Sequence, residues 1–244
     1  ELEVLRDDLG RLRGAPVSDA EINASIRVYN DNRAAIRDLY AYRSAKPWQA
    51  PTSEVYLLLR AGMVLPPEEH TALVRDYLAA AEALARPQRD NARIVINGAF
   101  CEQPPLGLIK SIEMAGCYIV DDDFMLVTRW LLDDVPAHGQ PLEELSQAFL
   151  HRSASTAAKY DAKREDKGQF LLKQVKTGAA EGVIFAAPSF CDPALLERPM
   201  LQEVLAKHKI PYTAFKYAEN TGQMAPIREQ AGTFADSIKL WNAA

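Results

Sequence analysis

The chain has 244 residues, enough for one large domain or two modest ones. Its formal charge of −5, with no long basic run, argues against a nucleic-acid surface, and no apolar stretch approaches the roughly 20 residues of a membrane helix. Three cysteines argue against a secreted disulfide framework and for a reducing compartment, expected to be the cytoplasm.

The first residue is Glu rather than Met, inside a helical pattern, so a preceding stretch of protein is expected; no signal peptide is expected. Residues 1–90 read as a helical connector segment. Ser18-Asp-Ala-Glu21 is a capping box, in which hydroxyl and carboxylate each satisfy an orphan backbone donor. Ile22, Ile26, Tyr29, Ile36 and Leu39 follow at helical spacing, and that helix should end before Pro47. Residues 53–61 fit a second helix. Pro66-Pro67-Glu-Glu opens another, which runs to about Ala85. No strand is expected before residue 92.

From residue 92 the pattern changes, and residues 91–244 read as a C-terminal α/β domain. Strands are expected at 93–97, 117–120, 182–187 and 212–217. Helices are expected at 106–115, through most of 124–163, at 163–177, from Pro193 to Lys207 and at 225–241. This alternation implies βαβ units and a doubly wound parallel sheet.

Four loops then leave the carboxyl ends of the strands: Gly98–Gln103, Asp121–Phe124, Pro188–Asp192 and Ala218–Gln223. Open α/β sheets bind ligands on that edge. Cys191 and Cys101 both fall there, which suggests a metal or iron–sulfur site; the plainer reading is that each thiol packs a turn. Cys117 opens a strand and belongs at the opposite edge or in the core. Gln103, Asp122 and Gln223 are expected to line the pocket, although the aspartates at 121–123 could instead cap local backbone. Thr221-Gly-Gln223 precedes a helix and could present amides to an anion or carbonyl, or simply cap the helix.

Several chemistries lack their signatures. There is no CxxC, no GxGxxG and no GxxxxGK[ST]. Ser189 is not in a GxSxG elbow. His70, His138, His151 and His208 are scattered through polar helical contexts, and the charges from Lys159 to Lys167 read as a solvated helix face.

On four of these stretches the chain resembles the family of benzoyl-CoA reductases and 2-hydroxyacyl-CoA dehydratases. They are Asn97–Pro105, Ile112–Asp123, Gly182–Pro193 and Thr221–Gln223 with the helix after it. Cys101-Glu-Gln-Pro-Pro105 looks closer to the reductase branch. The helical segment before residue 90 also matches, in the part that links the family's two domains. The resemblance implies flavodoxin-like domains, with the N-terminal one missing from this chain, and a 4Fe–4S cluster held between them. It maps one cluster cysteine, the one before Asp-Pro, onto Cys191, with the remaining ligands outside this segment and Cys101 unassigned as a ligand. It also implies a homologous cluster-binding subunit, ATP-hydrolysing activator subunits fed by a ferredoxin, and an acyl-CoA substrate. ATP would bind the activator and not this chain.

Reducing an aromatic thioester demands a strong one-electron donor, and iron–sulfur clusters reach about −700 mV. Glu102, an acid on the first rim loop, is the candidate proton donor. Two alternatives stand beside this reading: a 2-hydroxyacyl-CoA dehydratase subunit, and a non-catalytic α/β binding protein whose thiols are incidental.

Overall fold

A computed structural model describes residues 1–99, 103–124, 133–151, 168–218 and 224–242. The helical layer comes first: α1 (Leu2–Arg13), α2 (Asp19–Ala45), α3 (Thr52–Ala61) and α4 (Pro67–Ala83). The capping box forms as expected. Ser18 Oγ accepts from the Glu21 amide at 3.3 Å, and the Glu21 carboxylate accepts from the Ser18 amide at 2.8 Å. Ser18→Ala removes half of this arrangement at an exposed site. Denaturant unfolding should register a loss of about 1 kcal/mol.

Four parallel strands follow: β1 (Ala92–Asn97), β2 (Cys117–Asp122), β3 (Gly182–Pro188) and β4 (Tyr212–Tyr217), in the order β2-β1-β3-β4. This matches the flavodoxin-like order. The helices are α5 (Leu106–Met114), α6 (Pro141–His151), α7 (Gln169–Thr177), α8 (Asp192–Lys207) and α9 (Met224–Asn242). β1 and β3 are buried along nearly their whole length because helices cover both sheet faces. Ile94, Ile96, Ile119 and Ile184 pack with Leu108, Ile109 and Ile112 of α5 and with Ile227, Phe234 and Ile238 of α9. Val95, Val120, Val183 and Phe185 pack with Leu171 and Val175 of α7 and with Leu201 and Leu205 of α8. Gly182 permits the close approach of α9, since a Cβ there would meet Phe234 at 2.7 Å and Ile238 at 2.8 Å.

The structure corrects two boundaries. β2 does not stop at Val120; it continues through Asp122. Carboxylates at a strand end normally signal the exit to solvent, but here Asp122 is buried against a cation and the strand can extend. The helix expected over 163–177 begins only at Gln169, because Gly168 adopts the left-handed conformation (φ 92°). Residues 163–167 lie outside the described part, as do 125–132 and 152–162 of the helical stretch expected before them.

The helical layer is bonded to the sheet's β2 side. Thr52 Oγ1 donates to the Ile119 carbonyl at 3.0 Å, and the Thr52 amide donates to Glu113 of α5 at 2.6 Å. Among the described residues no helix is long and apolar enough to cross a membrane.

Candidate functional site

The order in which strands are laid down reverses between β1 and β3, which are direct neighbours. Their carboxyl ends frame the crevice where such folds take ligands. The β1 exit turns at Gly98 (φ 101°), where a Cβ would lie 3.3 Å from the Ala186 carbonyl of β3. The β3 exit is a tight turn. The Ser189 amide and hydroxyl donate to the Tyr217 carbonyl at 2.8 and 2.9 Å, and the Cys191 amide donates to Pro188 at 3.1 Å. Phe190 projects from this turn with 94% of its surface exposed. Pro193 follows in the first turn of α8, as the sequence suggests.

Cys191 is the N-cap of α8 and keeps 7% exposure. It packs against Ala187, Ala194 and Leu195, a small cluster separate from the two main sheet-face cores. Cys101, Glu102 and Gln223 lie outside the described residues. Gln103 is partly buried, and its side-chain oxygen has no hydrogen-bond partner among the described residues. Cys117 sits in the core at the start of β2, where burial pushes its thiol up to about 12. At the amino end of β2 it lies away from the carboxyl-end rim and packs in the core.

Asp122 occupies a different position from the pocket-lining one expected. It has no exposed side-chain surface, and Arg43 of α2, also fully buried, donates to its Oδ2 at 2.6 Å. Oδ1 accepts from the Tyr40 hydroxyl and from the Phe124 amide, both at 3.0 Å. The Phe124 bond is local capping of the type weighed as the alternative. Burial is the largest single influence on Arg43 and works against its charge, but Asp122, Tyr40 and Asp121 together hold the guanidinium above its ordinary value. Asp121 is held up to about 6, first by burial and then by the neighbouring Asp122 charge.

Asp123 performs a task that sequence reasoning missed. Its carboxylate accepts from the amides of Gly98 at 2.7 Å and Ala99 at 3.1 Å, so β2 holds the exit of β1. The three consecutive acids thus divide their roles, and nothing in their order reveals which faces what. Arg43 was equally hidden, since its partner lies 79 positions away.

One thiol on this edge is compatible with one corner of an iron–sulfur group. Cysteine thiolates are the usual ligands, and the small alanines beside Cys191 give a low-dielectric seat. Among the described residues no three His, Cys, Asp or Glu side chains converge as a metal site. The described residues therefore fit a single ligand position and not a complete set.

An all-parallel sheet in flavodoxin-like order, with Cys191 at its switch point, defines an α/β protein of the doubly wound class, in which ligands are taken at the carboxyl edge. The chain belongs to the family of the 2-hydroxyglutaryl-CoA dehydratase D-component, whose sequence model matches residues 1–238. It is 63% identical over 242 residues to a benzoyl-CoA reductase subunit from Thauera aromatica, covering 99% of this chain and 63% of that one. It is 23% identical over 232 residues to the (R)-phenyllactyl-CoA dehydratase beta subunit of Clostridium sporogenes, covering 95% and 61%. The beta subunit of lactoyl-CoA dehydratase from Anaerotignum propionicum is 24% identical over 239 residues, covering 98% and 63%. The chain thus spans less than two thirds of the length of these relatives.

Proposed function

We propose that this chain is part of an iron–sulfur-cluster subunit of an ATP-dependent, benzoyl-CoA-reductase-like enzyme that reduces the aromatic ring of an acyl-CoA thioester. The observation that carries this reading is the gap in identity: 63% to the reductase subunit against 23% and 24% to the dehydratase subunits. In the proposal Cys191 supplies one thiolate, Cys101 is the candidate second, and the remaining ligands come from outside this stretch. When bound, a 4Fe–4S cluster supplies the low-potential electron that such a ring reduction needs.

The chain's own residues then bind, orient and exclude water. Ala187 and Ala194 keep the Cys191 sulfur in a dry setting, which disfavours hydrogen bonding from solvent and lowers the attainable potential. Glu102 is the proposed proton donor. Gln103 and Gln223 are proposed to line the pocket, and Asp122 acts from behind its wall through the turn that it holds. The proposed setting is the cytoplasm, with a homologous subunit as partner and with ATP hydrolysed on separate activator subunits reduced by ferredoxin.

Anaerobic purification of the full-length protein with its partner subunits tests this. Cys191→Ala should lose most of the iron and sulfide that the parent carries, and ring reduction of benzoyl-CoA should fall at least about 100-fold. Full iron content in the variant would sink the ligand assignment. Formation of an enoyl-CoA from a 2-hydroxyacyl-CoA without net electron consumption would favour the dehydratase instead. A colourless, iron-free parent would favour a binding protein.

A further inference from the structure

The loop from Gly98 to Pro105 joins β1 to α5 and contains Cys101, Glu102 and Gln103. Side chains from elsewhere in the fold fasten both of its ends. At the start, Asp123 accepts from the Gly98 and Ala99 amides at 2.7 and 3.1 Å. Gly98 holds a left-handed backbone that L side chains rarely adopt, and Ala99 is fully buried. Asp123 itself is 1% exposed, so these charge-assisted bonds are shielded from water and strong.

At the far end, the Tyr56 hydroxyl of α3 donates to the Pro104 carbonyl at 2.8 Å. The Tyr56 ring meets Phe124 edge-on, with centroids 5.5 Å apart. Phe124 directly follows Asp123, and its amide is bonded to Asp122, which Arg43 holds. Both fasteners therefore share one base, the carboxyl end of β2. Proline at 104 and 105 stiffens the stretch between the second fastener and α5.

We propose that Asp123 and Tyr56 are positioning residues that fix the two ends of the connection from β1 to α5, Asp123 at Gly98 and Ala99 and Tyr56 at Pro104. The inference rests on the function proposed above for its catalytic meaning, but its geometric part can be measured without iron or turnover. Neither residue touches the reacting atoms; each acts through the loop backbone.

Hydrogen exchange of the full-length protein with its partner subunits is the test, with steady-state kinetics on benzoyl-CoA beside it. Asp123→Ala should speed exchange at Gly98 and Ala99 on the order of 10- to 100-fold. Asp123→Asn keeps one acceptor oxygen and should fall between, which covers the case in which the alanine variant does not fold. Tyr56→Phe keeps the ring and should speed exchange at Gln103 roughly 10-fold. Ser18→Ala, remote from the loop, controls for a general loss of stability. In both loop variants kcat should fall about 10-fold or more while KM stays within roughly 2-fold. Exchange at Gly98, Ala99 and Gln103 no faster than in Ser18→Ala would overturn the proposal, as would faster exchange with kcat unchanged. Retained iron in Cys191→Ala would defeat the proposed function and leave the exchange result standing.

Discussion

Arg43→Met should destabilise the protein by about 3–5 kcal/mol, which is a large part of the stability of an ordinary domain. Arg43 and Asp122 are both fully buried and 2.6 Å apart. Removing the cation leaves a carboxylate in a low-dielectric interior with two neutral donors among the described residues, the Tyr40 hydroxyl and the Phe124 amide. Among the described residues the guanidinium is not fully satisfied either, since Nε and Nη2 have no hydrogen-bond partner there, although its carbon stacks 4.4 Å from the centre of the Tyr40 ring. The pair therefore adds less stability than its rupture costs. The double change Arg43→Met with Asp122→Asn removes both charges and keeps an acceptor for Phe124. It should regain on the order of 2 kcal/mol over the single variant. Urea unfolding followed by two probes measures both; a loss below about 1 kcal/mol in Arg43→Met would show that the pair does not tie α2 to the sheet.

The second large effect is a pH dependence centred on Asp121. Its carboxyl is raised from 3.8 to about 6, first by burial and then by the Asp122 charge, with Arg43 and the Asp122 amide opposing. The folded state therefore holds this proton more tightly than the unfolded chain does. That contribution is fully present below about pH 4 and is lost as pH rises through about 6. Allowing for the solvent contact that Asp121 keeps, its size is on the order of 2 kcal/mol. Asp121→Asn never acquires the charge. It should be more stable than the parent at pH 8, and the difference should shrink as pH falls from 6 to 4. An unchanged slope across that window would rule out Asp121 as its source. In Arg43→Met the opposing cation is gone, so the window should move upward in pH.

Much of this architecture is legible in the residues, for stated reasons. The strands expected at 93–97, 117–120 and 182–187 are largely buried in the sheet, so local pattern and tertiary role agree. Ser18, Pro67 and Pro193 mark helix starts through chemistry that acts within a few residues. The failures share a different cause. Asp121 and Asp122 read as a loop because charge normally marks the way to solvent, and the cation that cancels one of them belongs to a helix far earlier in the chain. Alternating strands and helices imply a common loop edge but not the strand order. The structure makes β1 and β3 neighbours, and that adjacency sets Gly98 against Ala186 and Ala187, the latter packed on Cys191. Glu102, Cys101 and Gln223 remain assignments of chemistry and position.

The adjacency of β1 and β3 also bears on synthesis. Residues 98–181 must leave the ribosome before β1 can meet β3. At roughly 5–20 residues per second this takes several seconds. Through that interval one backbone edge of Ala92–Asn97, all but one of its residues destined for burial, has no strand to pair with. A nascent chain at this stage is a natural client for a holdase chaperone, and slow codons placed before residue 182 would lengthen its time at risk.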